Sequence, residues 1–376
     1  MDIYEKALEL HKKYGGKIST ALRDIPDSRE KLSAYYSPGV AAVSRLAAEH
    51  PEQLRDYSWT KNLVAVISDG SAVLGLGDIG PYGAMPVMEG KAMLFKHFAN
   101  IDAVPIVLDV HTADEIVATV KAIAPSFGGI NLEDISAPKC FEVEDRLKAE
   151  LKMPVFHDDQ HGTAVVVLAG LINSMKVVNK KLSDCKIVIV GAGAAGVAIA
   201  KLLKQYADPS ITAVDSKGVI SSDRTDLNAT KQLLASFTRG TVSGSLREAL
   251  TGADIVIGVS GPNTLTPDDI KVMATGPIVF GLANPTPEIM PADAKKAGAA
   301  IVATGRSDYP NQVNNATAFP GIFRGALDHT VSHITDAHKI AAAEVIAALV
   351  ETPTAEEIIP SVMDERLVPA IAAVIV

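Results

Sequence analysis

Two pairs of adjacent acids, Glu133-Asp134 in GGINLEDI and Asp158-Asp159 in PVFHDDQHGT, stand where short apolar segments run out and the chain must turn. Four carboxylates converging at the ends of neighbouring strands would repel one another unless a cation held them, so a hard divalent ion, Mg²⁺ or Mn²⁺, is expected there. Lys91 lies in PVMEGKAMLF, an apolar helical stretch around a single lysine. Burial would lower its pKa and make it a proton acceptor, whereas at the surface the same lysine would only extend its head into water. Tyr36 precedes Ser37-Pro38-Gly39 on a constrained turn, where a phenol can serve as an acid or simply pack, and Tyr35 beside it would face elsewhere. His157 and His161, four apart, could bind zinc from one helical face. Pro154 and the apolar run before them instead put His157 at a strand end and His161 at a helix start, which separates the two rings and favours oxygen ligation.

A second constellation follows the β-branched run Lys186–Val190. Gly191-Ala192-Gly193-Ala194-Ala195-Gly196 opens an alanine-rich helix, the context in which a G-x-G-x-x-G motif binds a dinucleotide. The first glycine makes the turn, the second admits the pyrophosphate, the third lets helix and strand close up, and the helix N-terminus attracts the phosphate charge. Asp215, at the end of the next predicted strand, is placed to accept hydrogen bonds from the adenosine ribose and to repel a 2′-phosphate. NAD is thereby favoured over NADP, although Lys217 could receive that phosphate. Asn284 in LANPTP and Asn315 in NQVNNATAFPG carry amides that could bind the nicotinamide or the substrate, or act only as turn formers.

These groups need elements to position them. Strands are predicted at Leu63–Ile67, Val104–Leu108, Gly129–Leu132, Pro154–Phe156, Lys186–Val190, Ile211–Val214, Asp254–Gly258, Ile278–Gly281 and Ala299–Val302, with helices near 85–98, 113–123, 138–150 and 162–178. This is an α/β chain, its strands alternating with helices in mostly parallel sheets. A chain of 376 residues, 48% hydrophobic, exceeds what one core usually holds, so two domains are expected. Residues 1–160 would form an N-terminal α/β domain for substrate and metal. Residues 161–376 would form a Rossmann-like, doubly wound parallel-sheet domain ending in two alanine-rich helices, the last over Glu365–Val376. The net charge of -9, with no basic block, argues against nucleic acid and anionic lipid as partners. Two isolated cysteines, a charged amphipathic start and a most apolar run, Gly162–Ile172, too short to span a bilayer all point to a cytoplasmic protein. Apolar faces on the first and last helices suggest a homodimer.

The segments AYYSPGVA, SDGSAVLGLGDIGPYGAMPVMEGKAMLFKHFANIDAVPI, NLEDI, VFHDDQHGTA, VGAGAAG, LANPTPE and NQVNNATAFPGIFRGAL, in this order, resemble the short bacterial form of malic enzyme. The resemblance runs from about Tyr14 to Ala341. It implies oxidation of malate with NAD(P), loss of carbon dioxide and protonation to pyruvate, with Tyr36 as proton donor and Lys91 as proton acceptor. It further implies Glu133, Asp134 and Asp159 as metal ligands, Asp158 beside them, and Asn284 and Asn315 on the substrate. One departure stands out: longer, animal-type relatives carry a carboxylate-binding arginine where this chain reads Ser71-Ala72, leaving that task to backbone amides of Gly75–Gly80, to the amides or to another subunit. Two other readings fit parts of the pattern: an oxaloacetate decarboxylase without the redox step, and a non-catalytic dinucleotide-sensing module.

Overall fold

The strands β1 (Leu63–Ser68), β2 (Asp102–Val107), β3 (Gly129–Leu132) and β4 (Val155–His157) pair in the order β2-β1-β3-β4, all parallel. These assignments come from a computed structural model that describes residues 2–238 and 243–376. A second sheet holds β5 (Lys186–Val190), β6 (Ser210–Asp215), β7 (Gly218–Val219), β8 (Ile255–Gly258), β9 (Ile278–Gly281) and β10 (Ile301–Thr304) in the order β10-β9-β8-β5-β6-β7. Only β7 runs antiparallel. The order reverses between β5 and β8, which opens the crevice where doubly wound sheets take their ligands.

Parallel strands are buried on both faces, and their alternation decides which core each residue enters. Val64 and Val66 of β1 and Ile187 and Ile189 of β5 join one central apolar layer shared by the two sheets. Leu63, Ala65 and Ile67 point the other way, into the outer core of the first sheet, and Val188 and Val190 into that of the second. Helices Gly80–Ala99, Asp158–Val178, Ala194–Ala207, Phe319–Asp328 and Asp336–Ala348 fill the central layer. The longest, Asp158–Val178, begins directly after β4 rather than at Gly162, and at 21 residues it has the length and apolarity of a membrane span. Two-thirds of its most apolar window is buried inside the chain, as in a core helix.

The other predicted strands and helices appear within a few residues of their expected bounds, and β7 is an addition that its two residues were too short to signal. The expected last helix shortens to Leu367–Ala372. The helices Ile3–Tyr14, Arg29–Tyr35 and Val40–Glu49 bury no residue, unlike every α-helix that follows β1.

Candidate active site

Strands β3 and β4 are neighbours with Leu132 opposite His157, so the next residues of each, Glu133-Asp134 and Asp158-Asp159, emerge side by side at the carboxyl ends of the sheet. Asp134 adopts a left-handed conformation, φ 53°, and its N–H donates to Asp159 Oδ2 at 2.7 Å. That turn folds one carboxylate oxygen from each of Glu133, Asp134 and Asp159 to within 4.8 Å of one another. Asn131 Nδ2 fixes Glu133 by donating to Oε2 at 2.9 Å. Burial raises the pKa of all three acids, and repulsion from neighbouring carboxylates adds to it, from Asp159 at Glu133 and Asp134 and from Asp158 at Asp159. Asp158, fully buried, is likewise pushed up, to about 6. Asp134 Oδ2 and Asp158 Oδ1 are buried without a hydrogen-bond partner among the described residues. Hard oxygen donors, crowded and under-satisfied, fit Mg²⁺ or Mn²⁺. The two histidines do not converge for zinc: the His157 ring lies 3.9 Å from Asp159, whereas His161 Nε2 pairs with Glu144 at 2.8 Å.

Lys91 reaches the same cluster from helix Gly80–Ala99. It shares the buried stripe of Met88, Ala92 and Phe95, and its head lies 2.6 Å from Asp158 Oδ2, 2.8 Å from Glu133 Oε1 and 4.3 Å from the centre of the Phe319 ring. Its burial, 7% exposed, is as expected, but the direction of its pKa is not. Burial pulls the pKa down, yet the charges of Asp158, Glu133 and Asp159 outweigh it and hold the proton well above the usual lysine range. Glu144, which sequence reasoning passed over as one acid in a charged helix, anchors the segment from behind. Its carboxylate accepts from His157 N–H at 2.9 Å and Gln160 Nε2 at 3.2 Å, besides pairing with His161 and Lys148.

The glycine turn is built as its motif requires. Gly191 has φ 122°, and a Cβ there would lie 2.5 Å from the Val259 carbonyl; at Gly196 it would lie 1.9 Å from the Gly191 carbonyl. Gly193 faces open space, and the helix starts at Ala194, so the first N–H groups of the helix, Ala194 and Ala195 among them, lack an acceptor within it. Asp215 ends β6 as expected, but it is not a bare acid. Arg224 grips both its oxygens, at 2.9 and 3.1 Å, Lys231 adds a contact at 2.6 Å, and the Lys217 N–H adds one at 2.9 Å. Against burial, these donors hold its pKa at about 2.

Loops from both halves meet between these centres. A Cβ on Gly75 would stand 2.4 Å from the Asn284 carbonyl, and one on Gly162 would stand 3.0 Å from Asn315 Cβ. Asn284 therefore borders the loop that follows β1, and Asn315 borders the start of helix Asp158–Val178. Tyr36 behaves differently: it is 71% exposed, and its hydroxyl has no hydrogen-bond partner among the described residues. Tyr35 faces Asp24, at 2.8 Å.

An α/β chain with a carboxylate triad and lysine at the end of one sheet and a dinucleotide turn at the end of the next has the layout of a metal-assisted dehydrogenase. The profile of the malic enzyme N-terminal domain matches residues 16–115 and 110–148, and that of the malic enzyme NAD-binding domain matches residues 160–376. The chain is 51% identical to the bifunctional malic/malolactic enzyme of Bacillus subtilis, over 99% of this chain and 92% of the relative. It is 54% identical to the NAD-dependent malic enzyme of Geobacillus stearothermophilus, over 96% and 76%. The crystal structure of the Thermotoga maritima NAD-dependent malic enzyme superposes with a TM-score of 0.95 at 51% identity, covering 98% of both chains. This chain belongs to the malic enzyme family.

Proposed function

We propose that the chain oxidises malate with NAD and decarboxylates the product to pyruvate, in one cleft between its two sheets. The observation that carries this is Lys91, buried against Asp158 and Glu133 at the edge of the oxygen triad. Once it has given up the proton those acids hold, neutral Lys91 takes the C2 hydroxyl proton, with Asp158 and Glu133 fixing where its Nζ lies. Glu133, Asp134 and Asp159 would hold a divalent ion, which would supply positive charge against the acids that hold the Lys91 proton and would polarise the C2 oxygen. Backbone N–H groups of the turn Ala192–Gly196 would hold the pyrophosphate of NAD, which would supply the hydride acceptor, and Asn284 and Asn315 orient the substrate. Tyr36 returns a proton to the methylene carbon after carbon dioxide leaves. Its exposure, on an arm carrying Ile3, Tyr4, Leu8, Leu22 and Ile25 in the open, supports a homodimer in which the arms are covered by the second copy. Residues 1–160 and 161–376 are the two functional units, and the protein works in the cytoplasm.

The assay is NADH formation from L-malate and Mn²⁺ by the purified protein. Oxaloacetate loss without any malate-dependent NADH would instead make it the decarboxylase. The intact glycine turn, of no use to a decarboxylase alone, disfavours that outcome.

A further inference from the structure

We propose that Glu288, buried and outside the reacting groups, is a positioning residue that sets the two loops of the cofactor side against both the glycine turn and the loop after β1. The inference rests on the dinucleotide reading above. Glu288 is 0% exposed and has no cationic partner among the described residues. One carboxylate oxygen accepts the Ser260 N–H at 2.8 Å, in the loop after β8, and the other accepts the Ala283 N–H at 3.0 Å, in the loop after β9. Its own carbonyl accepts the Leu265 N–H at 3.0 Å, and that of Pro287 accepts the Asn263 N–H at 3.1 Å, which closes the first loop onto the second.

Strand β8 ends on glycine for the same reason, since a Cβ on Gly258 would stand 2.6 Å from the Glu288 carboxyl carbon. Each anchored residue has a neighbour in sequence that touches another part of the cleft. Val259, before Ser260, presents its carbonyl to Gly191; Asn284, after Ala283, presents its carbonyl to Gly75. A single side chain with two acceptor oxygens thereby fixes the width of the nicotinamide slot. Only a carboxylate has an acceptor for each donor: glutamine would set its own N–H₂ against one of the two N–H groups.

The test compares wild type with Glu288→Gln and with Gly258→Ala, which displaces the carboxylate without removing it. Calorimetric titration of the metal-free protein with NAD⁺ should show Kd raised about tenfold in both variants, the size of a lost hydrogen bond to a charged group. The KM for NAD should follow, while Mn²⁺ affinity stays within about twofold and the thermal midpoint close to wild type. Unchanged NAD⁺ affinity in a folded Glu288→Gln protein overturns the proposal, as does a parallel fall of NAD⁺ and Mn²⁺ affinity with stability. Should Glu288→Gln not fold, Gly258→Ala decides by the same criteria. A wild type that binds NAD⁺ yet never oxidises malate defeats the malic enzyme reading and leaves this comparison standing.

Discussion

The acids at the end of the first sheet and the acid at the end of β6 obey opposite logic. Glu133, Asp134, Asp158 and Asp159 have one cation, Lys91, among them, and each is pushed toward its protonated form. Asp215 is gripped by Arg224 and Lys231 and is held firmly ionised. The first cluster carries more acid than its cation balances, whereas the second is neutralised by its own chain. A carboxylate in a ligand site is therefore informative only once its counter-charges are known.

The strongest way to break this contrast is Lys91→Ala, which removes both the proposed proton acceptor and the cluster's one cation among the described residues. Turnover should fall by about 10³-fold or more, with Mn²⁺ binding retained, and steady-state kinetics beside a Mn²⁺ titration would check both. A large drop in Mn²⁺ affinity would mean that the lysine is needed to assemble the triad. Asp159→Asn should weaken Mn²⁺ binding by about 10- to 100-fold, because one of three charged oxygen donors becomes a neutral amide.

Titration sharpens the same side of the comparison. A buried acid whose folded pKa is raised binds more protons folded than unfolded, so stability is full below the unfolded value and is lost as pH rises through the folded one. For Asp158 that window runs from its ordinary value of 3.8 to about 6, and the raised triad extends it upward. Metal-free protein should thus melt at lower temperature as pH rises from 5 to 8, and saturating Mn²⁺ should protect progressively more. At a hundredfold excess over Kd the ion adds about 2.7 kcal/mol. Melting curves in chelator and in Mn²⁺ across that range test the sign; protection that shrinks with pH would contradict the uncompensated cluster.

On the other side, Lys231→Ala should restore repulsion at Asp215 and lower the ratio of kcat/KM for NADP to that for NAD by about tenfold. An unchanged ratio would show that the pairing has no part in nucleotide choice. The smallest effect is expected at Lys217, whose side chain is 67% exposed and among the described residues pairs only with Asp226, so Lys217→Ala should move the same ratio by no more than about threefold.

Much of this was legible before any coordinates. Apolar runs such as Gly129–Leu132 and, after exposed Lys186, Ile187–Val190 mark buried parallel strands, and the acids and glycines directly after them fall where strands of such sheets deliver their ligands. Counter-charges were not legible, because Arg224 and Lys231 reach Asp215 through a loop and a new helix whose path no pattern specifies. The pKa of Lys91 failed for the same reason: its apolar helix is visible in sequence, but the acids that oppose it come from β3 and β4. Glu288 gave no signal at all beyond being an acid in a proline-rich turn.

Helix Asp158–Val178 starts at the acids beside the triad, and its shaft lies in the central layer with helix Ala194–Ala207, which opens at the glycine turn. Asp159 of the proposed metal site and the proposed pyrophosphate turn are thus carried on two helices packed in one layer. Any change in their separation would require that layer to repack, so the layer itself would act as the rigid frame of the site.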